Sequence, residues 1–226
     1  MLSSLLDILM PRRCLMCGAE LETTERAVCT TCLTTAPLIM TPSPNDGEMC
    51  RLFWHLLPVE RAAAMFRYSV VSPWKALVTA GKFGHRHDVL IDMGHLLGTH
   101  FVPLGFFEGI DALLPMPTTH EKKRGYNQSE LIARGVSAVT HLPVLTDVVK
   151  RIDKGKAQTH RSARERRTAL RGAFVLTNPE AIAHRHIAMV DDVCTTGASL
   201  VALGEALRQA ADVRLSVLTL MRATSL

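Results

Sequence analysis

Two stretches of the 226-residue chain carry residue types at spacings that could do chemistry. The first is Val190-Asp191-Asp192-Val193-Cys194-Thr195-Thr196-Gly197-Ala198-Ser199. An apolar run, Ile187 to Val190, leads into two adjacent carboxylates. Small and hydroxyl residues follow, and then Leu200, Leu203, Ala206 and Leu207 repeat at helical spacing. That order predicts a buried strand, a tight loop and a helix. The loop then offers backbone N–H groups and hydroxyls at a helix N-terminus, where a phosphate is held. Asp191 and Asp192 fall at the strand's C-terminal end, placed to accept hydrogen bonds from vicinal sugar hydroxyls. The loop lacks the Gly-Lys-Ser/Thr ending of a P-loop and the spaced glycines of a dinucleotide fingerprint. A plain strand-to-helix turn with acidic residues near a helix start is the blander alternative.

The second stretch is Cys14-Leu15-Met16-Cys17-Gly18 with Cys29-Thr30-Thr31-Cys32. Paired C-x-x-C knuckles this close together match a tetrahedral four-thiolate zinc site. Such a site leaves no open coordination position, so Zn²⁺ there is structural. The segment is poor in apolar residues, and metal binding would supply its folding energy. Arg12, Arg13 and Arg26 are near enough in sequence to offset the net negative charge of the thiolates. Cys50 is isolated and reads as a small packing residue.

The rest of the chain must position these groups. Residues 1–9 read as a short apolar helix, and 37–48 as a linker rich in proline and turn residues. The expected division is a zinc-binding module with its linker over 1–48 and a second domain over 49–226. In that domain Ala62 to Tyr68 reads as a strand, and Ser72-Pro73 starts a helix through Leu77 and Val78. A basic loop at 82–87 precedes a helix through Leu90, Met93 and Leu97, with His85 and His87 taken as surface residues. Asp111 to Pro117 reads as a short buried strand. After it come Lys122, Lys123, Arg124, Gly125 and Tyr126, and Asn127 with Glu130 reads as a capping box opening another helix. A cationic loop beside a helix start is a second anion site, with Arg124, Gly125, Asn127 and Gln128 as its candidates and pyrophosphate as the ligand. The equally simple alternative is a solvated basic turn. Residues 144–149 read as a strand, the strongly basic 150–171 as a loop or lid, 172–176 as a return to the core, and 215–220 as the strand closing the sheet. Strands alternating with helices predict an α/β fold with a mostly parallel sheet flanked by helices.

The Asp-Asp-Val-Cys-Thr-Thr-Gly-Ala-Ser string resembles the phosphoribosyl pyrophosphate (PRPP) signature of type I phosphoribosyltransferases. The resemblance implies that Asp191 and Asp192 hold the ribose 2′- and 3′-hydroxyls. It implies that Thr195, Thr196, Gly197, Ala198 and Ser199 cradle the 5′-phosphate, and that Mg²⁺ accompanies PRPP. Cys194 receives no role. Further features occur in order with the cysteine knuckles: the Pro115-Met116-Pro117 strand end, Arg124 to Gln128, Gln158-Thr159, and Leu170 to Phe174. Together they resemble the ComF/GntX family of phosphoribosyltransferase-like proteins over nearly the whole chain. That family is linked to natural competence, DNA uptake and transformation, and DNA utilisation. Arg161 and Ala169 stand where the family commonly has Leu and Asn.

Composition sets outer bounds. The chain is 47% hydrophobic and 21% charged, ordinary for a globular domain, with a formal charge of +5 that suits anionic ligands. No apolar run reaches membrane-spanning length, the N-terminus is a poor signal peptide, and a cytoplasmic location without membrane insertion is expected. Two functions of different class follow. One is an enzyme that transfers a phosphoribosyl group through an oxocarbenium-like state by positioning and charge stabilisation. The other is a non-catalytic sensor of PRPP or a nucleotide whose basic surface binds single-stranded DNA or competence partners. With aromatics at 5% of the chain, a pure base-stacking platform is disfavoured.

Overall fold

The computed structural model describes residues 12–39, 47–69, 72–74, 76–79, 86–118, 125–152, 170 and 172–223. In chain order its elements are α1 (Thr30–Thr34), α2 (Glu48–Phe53), β1 (Arg61–Tyr68), α3 (His87–Phe101), β2 (Ala112–Pro115), α4 (Gln128–Thr140), β3 (Val149–Arg151), β4 (Phe174–Leu176), β5 (His186–Cys194), α5 (Ala198–Leu207) and β6 (Arg214–Ala223).

The central sheet runs β1-β6-β5-β2, and every pairing in it is parallel. This is the expected α/β class: a parallel sheet flanked by helices. Parallel strands are buried on both faces and read as nearly continuous apolar runs, here broken by the buried His186, Ser216 and Thr219. Ala62 to Phe66, Ala112 to Pro115 and His186 to Val190 are buried without interruption. Alternate residues feed two cores. Ala62, Ala64, Ile187, Met189 and Val217 face α2, α5 and the β3–β4 hairpin. Ala63, Met65, Ala188, Val190 and Leu218 face α3, α4 and the cysteine module.

The sequence reading places 215–220 as the strand that closes the sheet. The structure instead sets β6 in the interior, between β1 and β5. Its run Leu215 to Met221 is fully buried, which suits a central strand. The expected strand over 144–149 is divided. Val144 makes a single parallel bridge to Leu113, and β3 begins only at Val149. β3 pairs antiparallel with β4 in a separate two-stranded sheet.

Helices α3 and α4 cross at very short range. A Cβ on Gly94 would lie 2.1 Å from the Ile132 carbonyl oxygen, and one on Gly135 2.1 Å from that of Ile91. Only glycine lets the two backbones approach so closely. This crossing fixes α4, whose first turn forms a wall of the site below. The linker expected over 37–48 is tied down at both ends: Ile39 N–H donates to Met65 O at 2.9 Å, and α2 opens at Glu48. Residues 40–46 lie outside the described residues, as do the N-terminal segment 1–9, His85 and most of the basic segment.

Candidate functional site

The site follows from the topology. After β2 the chain forms α4 on one face of the sheet and returns at Val144, outside β2. After β5 it forms α5 on the other face and returns as β6 on the opposite side. The two connections diverge between β2 and β5, and a crevice opens at their C-terminal ends. Open α/β sheets bind ligands at such a switch point. A cleft of about 310 Å³ lies there, lined by Met116 to Thr118, Tyr126 to Ser129, Arg151, Asp191, Asp192 and Ser199.

In β5 only Val193 and Cys194 follow Asp191 and Asp192, and both carboxylate residues keep part of their surface open. Asp191 Oδ1 accepts from the Ser129 hydroxyl and from Asp192 N–H, each at 2.9 Å. Burial at the cleft floor, and then the adjacent Asp192 carboxylate, push the Asp191 carboxyl up to about 7, although those two donors oppose the shift. Asp192 Oδ1 accepts from Val193 N–H at 2.7 Å.

Of the phosphate-loop residues, Ser199 lines the cleft, Thr195 is exposed, Thr196 half-buried, and Gly197 and Ala198 buried. Gly197 has φ +72° and caps α5. A Cβ there would sit 3.1 Å from the Phe53 ring and 3.3 Å from Leu52 Cδ2. The loop is therefore braced from behind by α2, to which sequence reading assigns no element, only Cys50 as a packing residue. It is braced again by Arg222 at the end of β6, whose Nη1 donates to the Thr195 carbonyl and to Cys194 O at 3.3 Å. Cys194 itself is buried, which pushes its thiol up to about 12, so it is inert packing.

Among the second-anion candidates, Asn127 and Gln128 line the cleft, Gly125 is exposed with φ +76°, and Arg124 lies outside the described residues. Asn127 does cap α4, accepting from Ser129 N–H at 3.1 Å. Its amide nitrogen donates to Met116 O at 3.0 Å, tying the helix start to the end of β2. The capping-box reading holds only in that half. Glu130 turns away to pair with Arg134 at 2.7 Å, an i,i+4 contact that competes for the same carboxylate. Ser129 and Arg151 are site residues that sequence reading misses. Ser129 sits inside the capping motif and reads as a helix-start residue, and Arg151 is submerged in a long basic run.

The four cysteines converge as expected. The sulfurs of Cys14, Cys17, Cys29 and Cys32 all lie within 4.8 Å of one another. Backbone N–H groups of Met16 and Cys29 point at Cys14 Sγ, at 3.4 and 3.3 Å, and Cys32 N–H at Cys29 Sγ, at 3.5 Å. These donors stabilise thiolates, and the set fits a structural Zn²⁺ with four sulfur ligands. Burial raises the Cys14 thiol, but the N–H groups of Cys29, Cys17 and Met16 outweigh it and bring it down to about 6. The expected arginines have other partners as well. Arg12 donates to Glu25 and Glu22 carbonyls, Arg13 to that of Gly18, and Arg26 pairs with Asp92 of α3 at 2.9 Å.

Comparison with known proteins agrees with this anatomy. A family model described as a double zinc ribbon domain matches residues 5–51. Competence protein F of Haemophilus influenzae is 35% identical over 116 residues, 50% of this chain and 51% of that protein, so the match spans about half the length of that relative. DNA utilization protein YhgH of Escherichia coli O157:H7 is 26% identical over 210 residues, covering 87% of this chain and 91% of that one. Among solved structures, an adenine phosphoribosyltransferase superposes over 64% of this chain and 74% of its own, with 18% identity and a TM-score of 0.40. The fold class rests on the parallel sheet itself. No helix among the described residues is long and apolar enough to cross a membrane.

Proposed function

We infer that this chain, a homologue of competence protein F and DNA utilization protein YhgH in the ComF family, binds PRPP or a closely related phosphoribosyl ligand in the cleft between β2 and β5. The observation that carries the reading is the meeting of Asp191, Asp192 and Ser199 with the first turn of α4 in one crevice. Two carboxylates suit a ribose diol, and the loop Thr195–Ser199 at the start of α5 suits the 5′-phosphate. Mg²⁺ would accompany the ligand's phosphates as a charge-neutralising ion. The names of the relatives support a role in competence or DNA utilisation. The same cleft serves either of two activities: phosphoribosyl transfer with loss of pyrophosphate, or sensing of the ligand without turnover.

Calorimetry with Mg²⁺-PRPP tests the reading. Losing a hydrogen bond to a charged group costs roughly 1.5–3 kcal/mol, so Asp191→Ala with Asp192→Ala should weaken binding at least about tenfold while melting stays cooperative. Wild-type protein that gives no heat and no melting shift at millimolar PRPP would end it. Pyrophosphate release with candidate bases separates transferase from sensor.

A further inference from the structure

Arg222 lies near the end of β6, in register with Cys194, the last residue of β5. Its Nη1 donates to three main-chain carbonyls: Cys194 at 3.3 Å, Ala223 at 2.5 Å, and Thr195. A trans peptide sets its C=O and N–H on opposite sides of the chain. The carbonyls of Cys194 and Thr195 face the guanidinium, so the N–H groups of Thr195 and Thr196 are turned away from it. No acceptor among the described residues takes either N–H. Two orphan donors thus open the loop that leads into α5, and one side chain on another strand sets their direction.

The charge of Arg222 is as informative as its donors. Arg67 of β1 is its register partner on the other side, and Glu48 neutralises Arg67 through contacts of 2.7 and 3.3 Å. Arg222 has no carboxylate partner among the described residues, and its buried Nε has no acceptor among them. A neutral donor would serve to hold carbonyls alone. A half-buried guanidinium without a counter-ion is costly to keep, unless an anion comes to it. The anion that suits both the orphan N–H groups and the charge behind them is a phosphate at the loop.

We propose that Arg222 is the positioning residue of the phosphate loop. It holds the carbonyls of Cys194 and Thr195 so that the N–H groups of Thr195 and Thr196 are preset for a phosphate ester, and that phosphate balances its charge. Arg222 acts through the loop and needs no contact with the ligand. The proposal deepens the phosphoribosyl reading, on which it rests for the identity of the ester.

Amide NMR of the full chain tests it, on wild type, Arg222→Gln and Arg222→Lys, each titrated with ribose 5-phosphate and separately with inorganic phosphate. In wild type, ribose 5-phosphate should move the Thr195 and Thr196 N–H signals downfield together. Arg222→Gln should lose both shifts and weaken ribose 5-phosphate at least about tenfold, because two donors are misdirected and a charge is gone. The N–H of Ser129, capped by Asn127, should keep its free-state position and so report an intact fold. Arg222→Lys keeps the charge without the fork and should recover part of the affinity. Should Arg222→Gln fail to fold, Arg222→Lys decides instead: smaller shifts and a weaker complex support the proposal, and wild-type behaviour in both overturns it. Wild-type affinity and shifts in Arg222→Gln, or lost affinity with both shifts retained, would overturn it and leave the phosphoribosyl reading standing. If wild type ignores ribose 5-phosphate but its two signals follow inorganic phosphate, and cease to in Arg222→Gln, the phosphoribosyl reading ends and this one is kept. Wild-type signals that answer to neither ligand overturn both.

Discussion

The hydroxyl of Ser129, in the first turn of α4, donates to Asp191 Oδ1 across the cleft at 2.9 Å. This contact joins the two halves of the site, because Ser129 follows β2 and Asp191 ends the apolar part of β5. It also stabilises the ionised carboxylate against burial and against Asp192. Ser129→Ala should therefore raise the Asp191 carboxyl further and weaken ligand binding roughly five- to fiftyfold at pH 7, since one hydrogen bond to a charged group is worth about 1.5–3 kcal/mol, or about one to two pH units on that carboxyl. Calorimetry at pH 7 and pH 8.5 checks it. Most of the loss should disappear at the higher pH, where a larger share of Asp191 is ionised in both proteins.

Asp191 also sets a pH dependence. Its carboxyl stands at about 7 in the fold, against an ordinary value of 3.8. The folded chain therefore holds a proton between those values that the unfolded chain releases. The contribution to stability is present on the acid side and is lost as pH rises through about 7. A ribose diol donates hydrogen bonds and selects the ionised form, so phosphoribosyl affinity should rise between pH 6 and 8. Asp191→Asn should flatten both the affinity profile and the corresponding part of the melting profile. Wild-type affinity that does not change across that range would contradict the assignment.

The cysteine cluster predicts about one zinc per chain by metal analysis. Cys14→Ser or Cys29→Ser should release it, because four-sulfur shells do not tolerate the loss of a thiolate at neutral pH. The damage should extend beyond the module. Cys14, Ala27, Val28 and Cys29 are buried in the same core as α3 and the sheet, and Asp92 of α3 grips Arg26 and the N–H of Ala27. A fall in the main melting transition, measured by calorimetric scanning, is the expected outcome.

Gly135→Ala should destabilise the protein by about 1–3 kcal/mol or prevent folding, the cost of overpacking a close helix crossing. Its added methyl would meet the Ile91 carbonyl, which cannot rotate away. Gly197→Val should also fail, through the positive φ and through the Phe53 ring behind the loop, before any ligand is involved. Denaturant titration of each variant checks both. An unaltered midpoint for Gly135→Ala would show that α3 and α4 do not pack this closely in solution.

Much of this molecule is legible in residue order. The apolar run ending in Asp191 and Asp192, the small and hydroxyl residues before α5, and the paired cysteine knuckles each announce local geometry, and the local geometry appears. What sequence does not carry is which separate pieces touch. The pairing of Ser129 with Asp191 joins residues in different βα units. The support of Gly197 by Phe53 comes from a helix hidden at the end of a proline-rich stretch. Arg151 sits in a long basic run, and only the pairing of β3 with β4 sets it, rather than Lys150 on the same strand, against the cleft. The single bridge at Val144 shows the other failure: a run of β-forming residues remained long enough for one contact with Leu113 and no more, because the chain turns off toward the hairpin.

The interior place of β6 has a consequence for synthesis. Among the described residues β6 is the one strand of the sheet paired with β1, Arg61 facing Ser216 and Tyr68 facing Ala223, while the other edge of β1 meets Leu38 in a single bridge. On a translating ribosome β1 emerges long before that partner. At about 5–20 residues per second, its apolar strand waits of the order of ten seconds for the segment that will cover its edge. During that interval the nascent chain presents an unpaired strand, and its safe passage depends on whatever shields it until the 214–223 segment emerges.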